Sequence, residues 1–190
     1  MNQRLFIAIH LDAATKLAIA KIAAKLPDSS ALNKTRVDNL HLTLQFLGDT
    51  EEDLIPEIQI ILNNVANRHP SAELKFTQLS AFPSWQQPHH LRLGVVNDSL
   101  KNIQADLLNS LIKIVPTLDA RPFQPHITLA RVKSLDVVTL NKLQSLNGVI
   151  TLPAIMSATS IDLMASTLTP HGPIYTLISQ HHLVPVDKKI

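Results

Sequence analysis

Cysteine is absent from this chain of 190 residues, and its absence removes several classes of protein at once. Without a thiol the chain can form no disulfide framework, no thiolate-bound zinc site, no iron–sulfur cluster and no cysteine nucleophile. A chain without cysteine also fits a reducing compartment, and we expect a cytoplasmic protein.

Charge and long apolar runs are scarce as well. Charged residues make up 17% of the chain and the formal net charge is +2, so the pI of about 9.0 reflects a small imbalance and not a basic tail. No apolar run approaches the roughly 20 residues that a bilayer-spanning helix needs. The composition therefore argues against a membrane protein, and it permits a phosphate ligand without demonstrating one.

Hydrophobic residues are abundant, at 45% of the chain, which is enough for one sizeable core. Apolar patterns predict strands near residues 4–9, 40–47, 72–79, 90–96, 126–130, 155–164 and 174–183. Asp12 and Asn97 are expected to cap helices, and Thr50-Glu51-Glu52-Asp53 resembles a capping box that opens another helix. A weaker helix is expected over residues 135–146. Strands interleaved with a few helices and joined by short turns favour an α+β fold with antiparallel sheets.

The most informative feature is an internal repeat. Arg36-Val-Asp-Asn-Leu-His41-Leu-Thr43-Leu44 and Arg121-Pro-Phe-Gln-Pro-His126-Ile-Thr128-Leu129 share arginine, histidine, threonine and leucine at a constant offset of 85 residues, since 126 − 41 = 85. Four identities in nine positions would seldom arise by chance. The repeat predicts two equivalent strands in two related lobes that face a pseudo-two-fold cleft. We therefore expect residues 1–190 to form a single domain of two antiparallel sheets flanked by helices.

Alternation along a strand separates the repeated residues by face. His41 and Thr43 share one face while the apolar residues Leu40, Leu42, Leu44 and Phe46 are expected on the other, and the second copy behaves in the same way. Both histidine and threonine pairs should therefore point into the cleft. A single His-x-Thr on a strand is usually structural, and it is the duplication that favours a functional site.

Two histidines across a cleft suit displacement at phosphorus. One neutral imidazole can take a proton from water, and one imidazolium can give a proton to the leaving alkoxide. Hydroxyls of Thr43 and Thr128 would hold the phosphate oxygens, and Arg131 is the nearest cation that could clamp them. Strict alternation points Arg131 away from His126, so this role requires the strand to end or bulge before it.

The residues around the two motifs resemble those of the two-histidine (2H) phosphoesterase superfamily. Asn39-Leu-His-Leu-Thr-Leu-Gln-Phe-Leu-Gly48 and Arg121-Pro-Phe-Gln-Pro-His-Ile-Thr-Leu-Ala-Arg131 are similar to the bacterial and archaeal RNA 2',3'-cyclic phosphodiesterases, once called 2'-5' RNA ligases. Arg4-Leu-Phe-Ile-Ala-Ile9, Leu163-Met-Ala-Ser166 and Gly172-Pro-Ile-Tyr175 fit the same family, so the likeness spans nearly the whole chain.

The resemblance implies a bilobal fold around a central cleft, no cofactor and no metal. It also implies hydrolysis of RNA 2',3'-cyclic phosphate ends to 2'-phosphates, with weak reversible 2'-5' joining. His41 and His126 are then the acid and base, and we assign His41 as the acid. Thr43, Thr128, Arg131 and Phe123 are expected to contact the substrate, and the protein is expected to be a monomer.

Departures from the family pattern concern His10, where an acidic residue is frequent, and Arg92, where tryptophan is common. Trp85, His89 and His90 could form a stacking surface or an ordinary exposed loop. Arg36 and Arg121 are as well explained by bonds to loop carbonyls as by substrate contact.

Rival functions remain open on the sequence alone. A phosphodiesterase for a small cyclic phosphate, such as a cyclic nucleotide or ADP-ribose cyclic phosphate, could use the same scaffold. A non-catalytic binder of RNA ends could keep the histidines for phosphate contact. A metallohydrolase is disfavoured because neither motif brings a carboxylate with it.

Overall fold

The computed structural model describes residues 1–115, 118–119, 121–170 and 172–186. Within these ranges the strands are β1 (Asn2–His10), β2 (Leu32–Lys34), β3 (His41–Glu51), β4 (Ala72–Pro83), β5 (Pro88–Val96), β6 (His126–Val132), β7 (Met156–Ala158), β8 (Ser160–Thr169) and β9 (Gly172–His182). The helices are α1 (Ala13–Ala24), α2 (Ile55–Ala66), α3 (Asp98–Leu111) and α4 (Val137–Ser145).

The strands form one curled sheet in which all neighbours are antiparallel. Its order is β7-β4-β5-β6-β3-β1-β8-β9, and β2 pairs with the end of β6. The halves β3-β1-β8-β9 and β6-β5-β4-β7 meet where Leu42 of β3 pairs with Ile127 of β6. The predicted α+β fold with antiparallel strands in two related halves is confirmed. The two predicted sheets are continuous, because their central strands pair at this seam. Leu42 and Ile127 are both completely buried there.

The two faces of the sheet have different partners. The helices pack on one face and contribute Ile19, Leu62, Leu107 and Leu143 to a single large core. The opposite face, which we call the cleft face, carries a separate small apolar cluster that is described below. Removing a fully buried leucine from such a core typically costs about 2–5 kcal/mol, so the helical layer holds the curled sheet in place.

Two of the three predicted helix caps are present in the structure. Asp12 accepts a hydrogen bond from the backbone nitrogen of Thr15 at 2.7 Å, and Asn97 accepts one from that of Ser99 at 2.6 Å. Both caps are as predicted.

The predicted capping box at Thr50 is wrong. Strand β3 continues to Glu51, and Thr50 and Glu51 pair with Gln3 and Asn2 of β1. A 3-10 turn over Glu52–Leu54 then leads into α2 without a side-chain cap. The backbone nitrogen of Glu52, which such a cap could have bonded, donates instead to the carbonyl oxygen of Met1 at 3.0 Å, so long-range pairing prevails over the local motif.

Among the described residues, no helix has both the length and the apolar character needed to cross a bilayer.

Candidate active site

Both His-x-Thr motifs lie on the two central strands of the sheet. His41 opens β3 and His126 opens β6, and the antiparallel pair Leu42–Ile127 sets His41 alongside Thr128 and Thr43 alongside His126. The four side chains share the cleft face because they flank buried Leu42 and Ile127. Side chains at diagonal positions of neighbouring strands lie about 7–8 Å apart, so one phosphate can sit between the two imidazoles.

A bulge in β6 brings Arg131 to the same face. Arg92 of β5 pairs with Thr128, whereas Leu91 pairs with Ala130, so Leu129 is an extra residue in β6. Arg131 then pairs with His90, which lies on the same face of β5 as Arg92. The structure thus contains the bulge that a phosphate-binding role for Arg131 requires.

The first half carries the same bulge at the equivalent position. Ile7 pairs with Gln45 and Ala8 pairs with Thr43, so Leu44 is the extra residue in β3. As a result Phe46 reaches the cleft face five residues after His41, just as Arg131 does five residues after His126. The prediction that Phe46 faces the core is wrong, because the bulge reverses the alternation: Phe46 is 59% exposed and is a site residue that the sequence reasoning missed. The 85-residue offset that links Phe46 to Arg131 was the signal that could have found it.

Backbone carbonyls hold both imidazoles in the same tautomer. Nδ1 of His41 lies 2.7 Å from the carbonyl oxygen of Asn39, and Nδ1 of His126 lies 2.7 Å from that of Gln124. A carbonyl only accepts, so each Nδ1 carries a proton and each Nε2 is left for chemistry. Nε2 of His41 meets the hydroxyl of Thr43 at 3.0 Å, while Nε2 of His126 makes no hydrogen bond within the described residues.

Burial keeps both catalytic candidates neutral in the free protein. Desolvation is the main cause that lowers the pKa of His41 to about 4. Desolvation also lowers the pKa of His126, and the positive charge of Arg92 adds to this effect. The acid must therefore take up a proton from solvent as the substrate binds, because the phosphate anion favours an imidazolium beside it.

Aromatic rings line the His41 side of the cleft. The His41 ring lies 5.0 Å from the Phe6 ring and 5.2 Å from the Tyr175 ring, and Phe6 lies 6.3 Å from Phe46. Phe6, Ala8 and Met164, with Tyr175 packed against them, form the small apolar cluster of the cleft face. We call Phe6, Phe46 and Tyr175 the aromatic wall. Phe6 and Tyr175 explain the desolvation of His41. Phe46, which is exposed, offers apolar surface of the kind on which a nucleobase stacks.

Cations line the His126 side. Arg131 is exposed, and its positive charge acts on both His90 and Tyr175, one in each half of the sheet. Arg92 lies over the Phe82 ring at 4.7 Å and donates to Gln124 at 2.8 Å. Arg92 was noted in the sequence only as a departure from a family pattern, and its pairing with Thr128 makes it a second cation beside the motif.

Three other residues singled out in the sequence, Phe123, Arg121 and Trp85, have contacts of their own. Phe123 is partly buried and lines an open groove of about 630 Å³ beside the start of α3, in the loop that leads to His126. Its contact with substrate stays a prediction. Arg121 forms an ion pair with Asp119, and Trp85 packs against the main core, so both have structural partners.

Clusters of three or more histidine, aspartate or glutamate side chains that could hold a metal ion are absent from the part of the chain that the structure describes.

Comparison with known proteins agrees with this geometry. The fold and the paired motifs define a two-histidine phosphoesterase. The chain belongs to the 2'-5' RNA ligase superfamily, whose family model matches residues 11–166.

Individual relatives extend the match over nearly the whole chain. The RNA 2',3'-cyclic phosphodiesterase of Thermotoga maritima is 34% identical, covering 92% of each chain. That of Methanothermobacter thermautotrophicus is 30% identical, covering 93% of this chain and 96% of the relative. The crystal structure of E. coli LigT complexed with 3'-AMP superposes with a TM-score of 0.77 at 25% identity, covering 97% of this chain and 99% of that one.

Proposed function

We propose that this protein is an RNA 2',3'-cyclic phosphodiesterase that opens the terminal cyclic phosphate to a 2'-phosphate without a metal ion or cofactor. The observation that carries the proposal is the seam between β3 and β6. It sets His41 and His126 diagonally on one face, each with Nε2 left for proton transfer. The curated relatives bear the name of the same activity.

The two sides of the cleft orient the substrate. The aromatic wall suits the nucleoside, and Arg131 with Arg92 suits the phosphate oxygens, because guanidinium groups bind such oxygens in a fork. The ribose then lies on the His41 side of phosphorus, with its 3' oxygen facing His41. This placement supports His41 as the acid and His126 as the base.

The chemical step follows from that orientation. His126 takes a proton from a water molecule as the water oxygen bonds to phosphorus. The bond from phosphorus to the 3' oxygen breaks, and His41 gives its proton to that oxygen. Thr43, Thr128 and Arg131 hold the charge that develops on the other phosphate oxygens. Joining of RNA ends through a 2'-5' linkage would use the same groups in the same roles, with a 5'-hydroxyl in place of water, and the roles would exchange when that linkage is cleaved.

A product and variant analysis tests the proposal. RNA ending in 2',3'-cyclic phosphate is incubated with the wild-type protein, and the product is identified as a 2'- or 3'-phosphate. We expect 2'-phosphate, and we expect His41→Ala and His126→Ala each to lower turnover by about 10²–10⁴-fold. His182→Ala, at an exposed histidine near the end of β9, is the matched control and should turn over normally.

Two outcomes would count against the proposal. Binding of RNA ends with no hydrolysis would indicate a non-catalytic binder. Activity confined to a cyclic nucleotide or ADP-ribose cyclic phosphate would replace RNA as the substrate while leaving the site intact.

A further inference from the structure

A third histidine stands in the cleft beside His41. His10 ends β1 and pairs directly with His41 of β3, and paired residues of antiparallel strands point to the same face. In the other half the residue that pairs with His126 is Gly94, and a Cβ at Gly94 would lie 2.3 Å from Oγ1 of Thr77. An imidazole directly opposite a motif histidine is therefore present in one half only, since His90 in the other half pairs with Arg131 and not with His126.

His10 is held by a carboxylate from the floor of the cleft. Its Nδ1 lies 2.5 Å from Oδ2 of Asp162, which is fully buried and whose Oδ1 makes no hydrogen bond within the described residues. A buried carboxylate needs hydrogen-bond partners, and Nδ1 of His10 supplies one. The pair fixes the ring so that Nε2 is the edge that meets a ligand, and a phosphate anion beside it favours the donating, protonated form of an imidazole.

The free edge of His10 is accessible from the cleft. The side chain is 37% exposed and lines the small pocket that also contains His41 and Tyr175, and its Nε2 makes no hydrogen bond within the described residues. Asp38 lines the same pocket, but Lys16, which donates to the backbone oxygen of Asp38, brings positive charge there as well. The pocket therefore offers a hydrogen-bond donor to an anionic group.

The position of His10 determines which phosphate group of the RNA it can contact. Phosphorus lies between His41 and His126, and His10 is one strand farther out, a spacing of about 4.8 Å. When the terminal nucleoside lies on the aromatic wall, the rest of the RNA strand extends from the terminal ribose on the His41 side of the cleft. The next anionic group along the RNA is the phosphodiester on the 5' side of the terminal nucleotide.

We propose that His10, held by Asp162, binds this penultimate phosphodiester and gives the enzyme a preference for RNA ends over terminal nucleotides alone. The assignment rests on the proposed function and deepens it by naming a part of the substrate that the two motifs do not contact. It makes His10 a specificity-determining residue of this chain.

The test uses two substrates that differ in one charge. Both are dinucleotides ending in 2',3'-cyclic phosphate, one with the natural internal linkage and one with a methylphosphonate there, measured as each diastereomer. We expect wild-type kcat/KM to favour the natural linkage by about tenfold or more, as for a hydrogen bond between charged groups. In His10→Gln and in Asp162→Asn this ratio should fall toward one.

A matched control and the opposing outcomes make the test decisive. His90→Gln removes another imidazole of the cleft face, on the side of Arg131, and should keep the wild-type ratio. A wild-type ratio near one overturns the proposal without any variant. The proposal is also overturned if His10→Gln leaves the kcat/KM ratio of the two substrates unchanged. If the variant lowers kcat/KM equally on both substrates, His10 acts through His41 and not on the internal linkage. If the wild-type protein hydrolyses neither substrate, the proposed function fails and this inference with it.

Discussion

The pKa of His41 makes a prediction about stability that needs no substrate. The aromatic wall desolvates the imidazole and lowers its pKa to about 4, whereas in the unfolded chain the same group should titrate near 6.5. Between these values the unfolded state binds a proton that the native state does not. Stability therefore falls as pH drops from about 6.5 to about 4, and this loss is absent when His41 is replaced.

The size of the effect follows from the shift. A difference of about 2.5 pKa units corresponds to about 3 kcal/mol at pH 4, because each unit is worth about 1.4 kcal/mol. Three other histidines also have lowered pKa values and cost stability as the pH falls, but they do so equally in the wild-type protein and in a His41 variant: His90, His126 and His181. The difference between the two proteins thus isolates His41.

Urea unfolding of the wild-type protein and of His41→Gln, from pH 7 to pH 4 in buffers without phosphate, measures that difference. The variant should gain about 2–3 kcal/mol relative to the wild type across this range. NMR titration of the His41 ring gives the pKa directly. A stability difference that does not change with pH, or a His41 ring that titrates near 6.5, would refute the reasoning.

Three further predictions concern the cations, the metal and the contact between β4 and β5. Arg131→Lys keeps the charge but loses the guanidinium fork, and should lower kcat/KM by about tenfold, whereas Arg121→Lys, at an exposed ion pair with Asp119, should not. Full activity is expected after dialysis against chelator, and loss that a divalent ion restores would contradict the mechanism. Gly94→Ala should cost about 1–3 kcal/mol in urea unfolding because its Cβ meets Thr77, and the added change Thr77→Ala should recover most of the loss.

Acidic pH should also govern activity. The step needs one neutral and one protonated imidazole, so kcat/KM should form a bell whose maximum lies between the two lowered pKa values, below about 6.5. A plateau that extends unchanged above pH 8 in the rate profile would contradict the histidine pair.

Local sequence predicted the parts of the fold that local chemistry determines. Asp12 and Asn97 cap their helices through their own side chains, and alternation around Leu42 and Ile127 correctly separated core from cleft. The expectations of a monomer and of a cytoplasmic location stay predictions.

Long-range pairing accounts for what the sequence did not predict. Thr50 reads as a cap but pairs with β1, and β2 is a strand only because its three residues pair with β6. Residues 155–164, predicted as one strand, fall into β7 and β8, of which β7 is the first strand of the sheet order and β8 is the last but one. The bulges that turn Arg131 and Phe46 into the cleft also arise from pairing with neighbouring strands. For this reason the repeat predicted the two histidines and two threonines of the site, but it did not predict the aromatic wall.

The division of labour between His41 and His126 is tested most directly by changing the leaving atom. An RNA end whose 3' oxygen is replaced by sulfur expels a thiolate that needs no proton, so it should bypass the acid but not the base. In single-turnover reactions, His41→Ala should regain most of its lost rate on the sulfur substrate while His126→Ala stays slow. Recovery of His126→Ala instead, or of neither variant, would contradict the account.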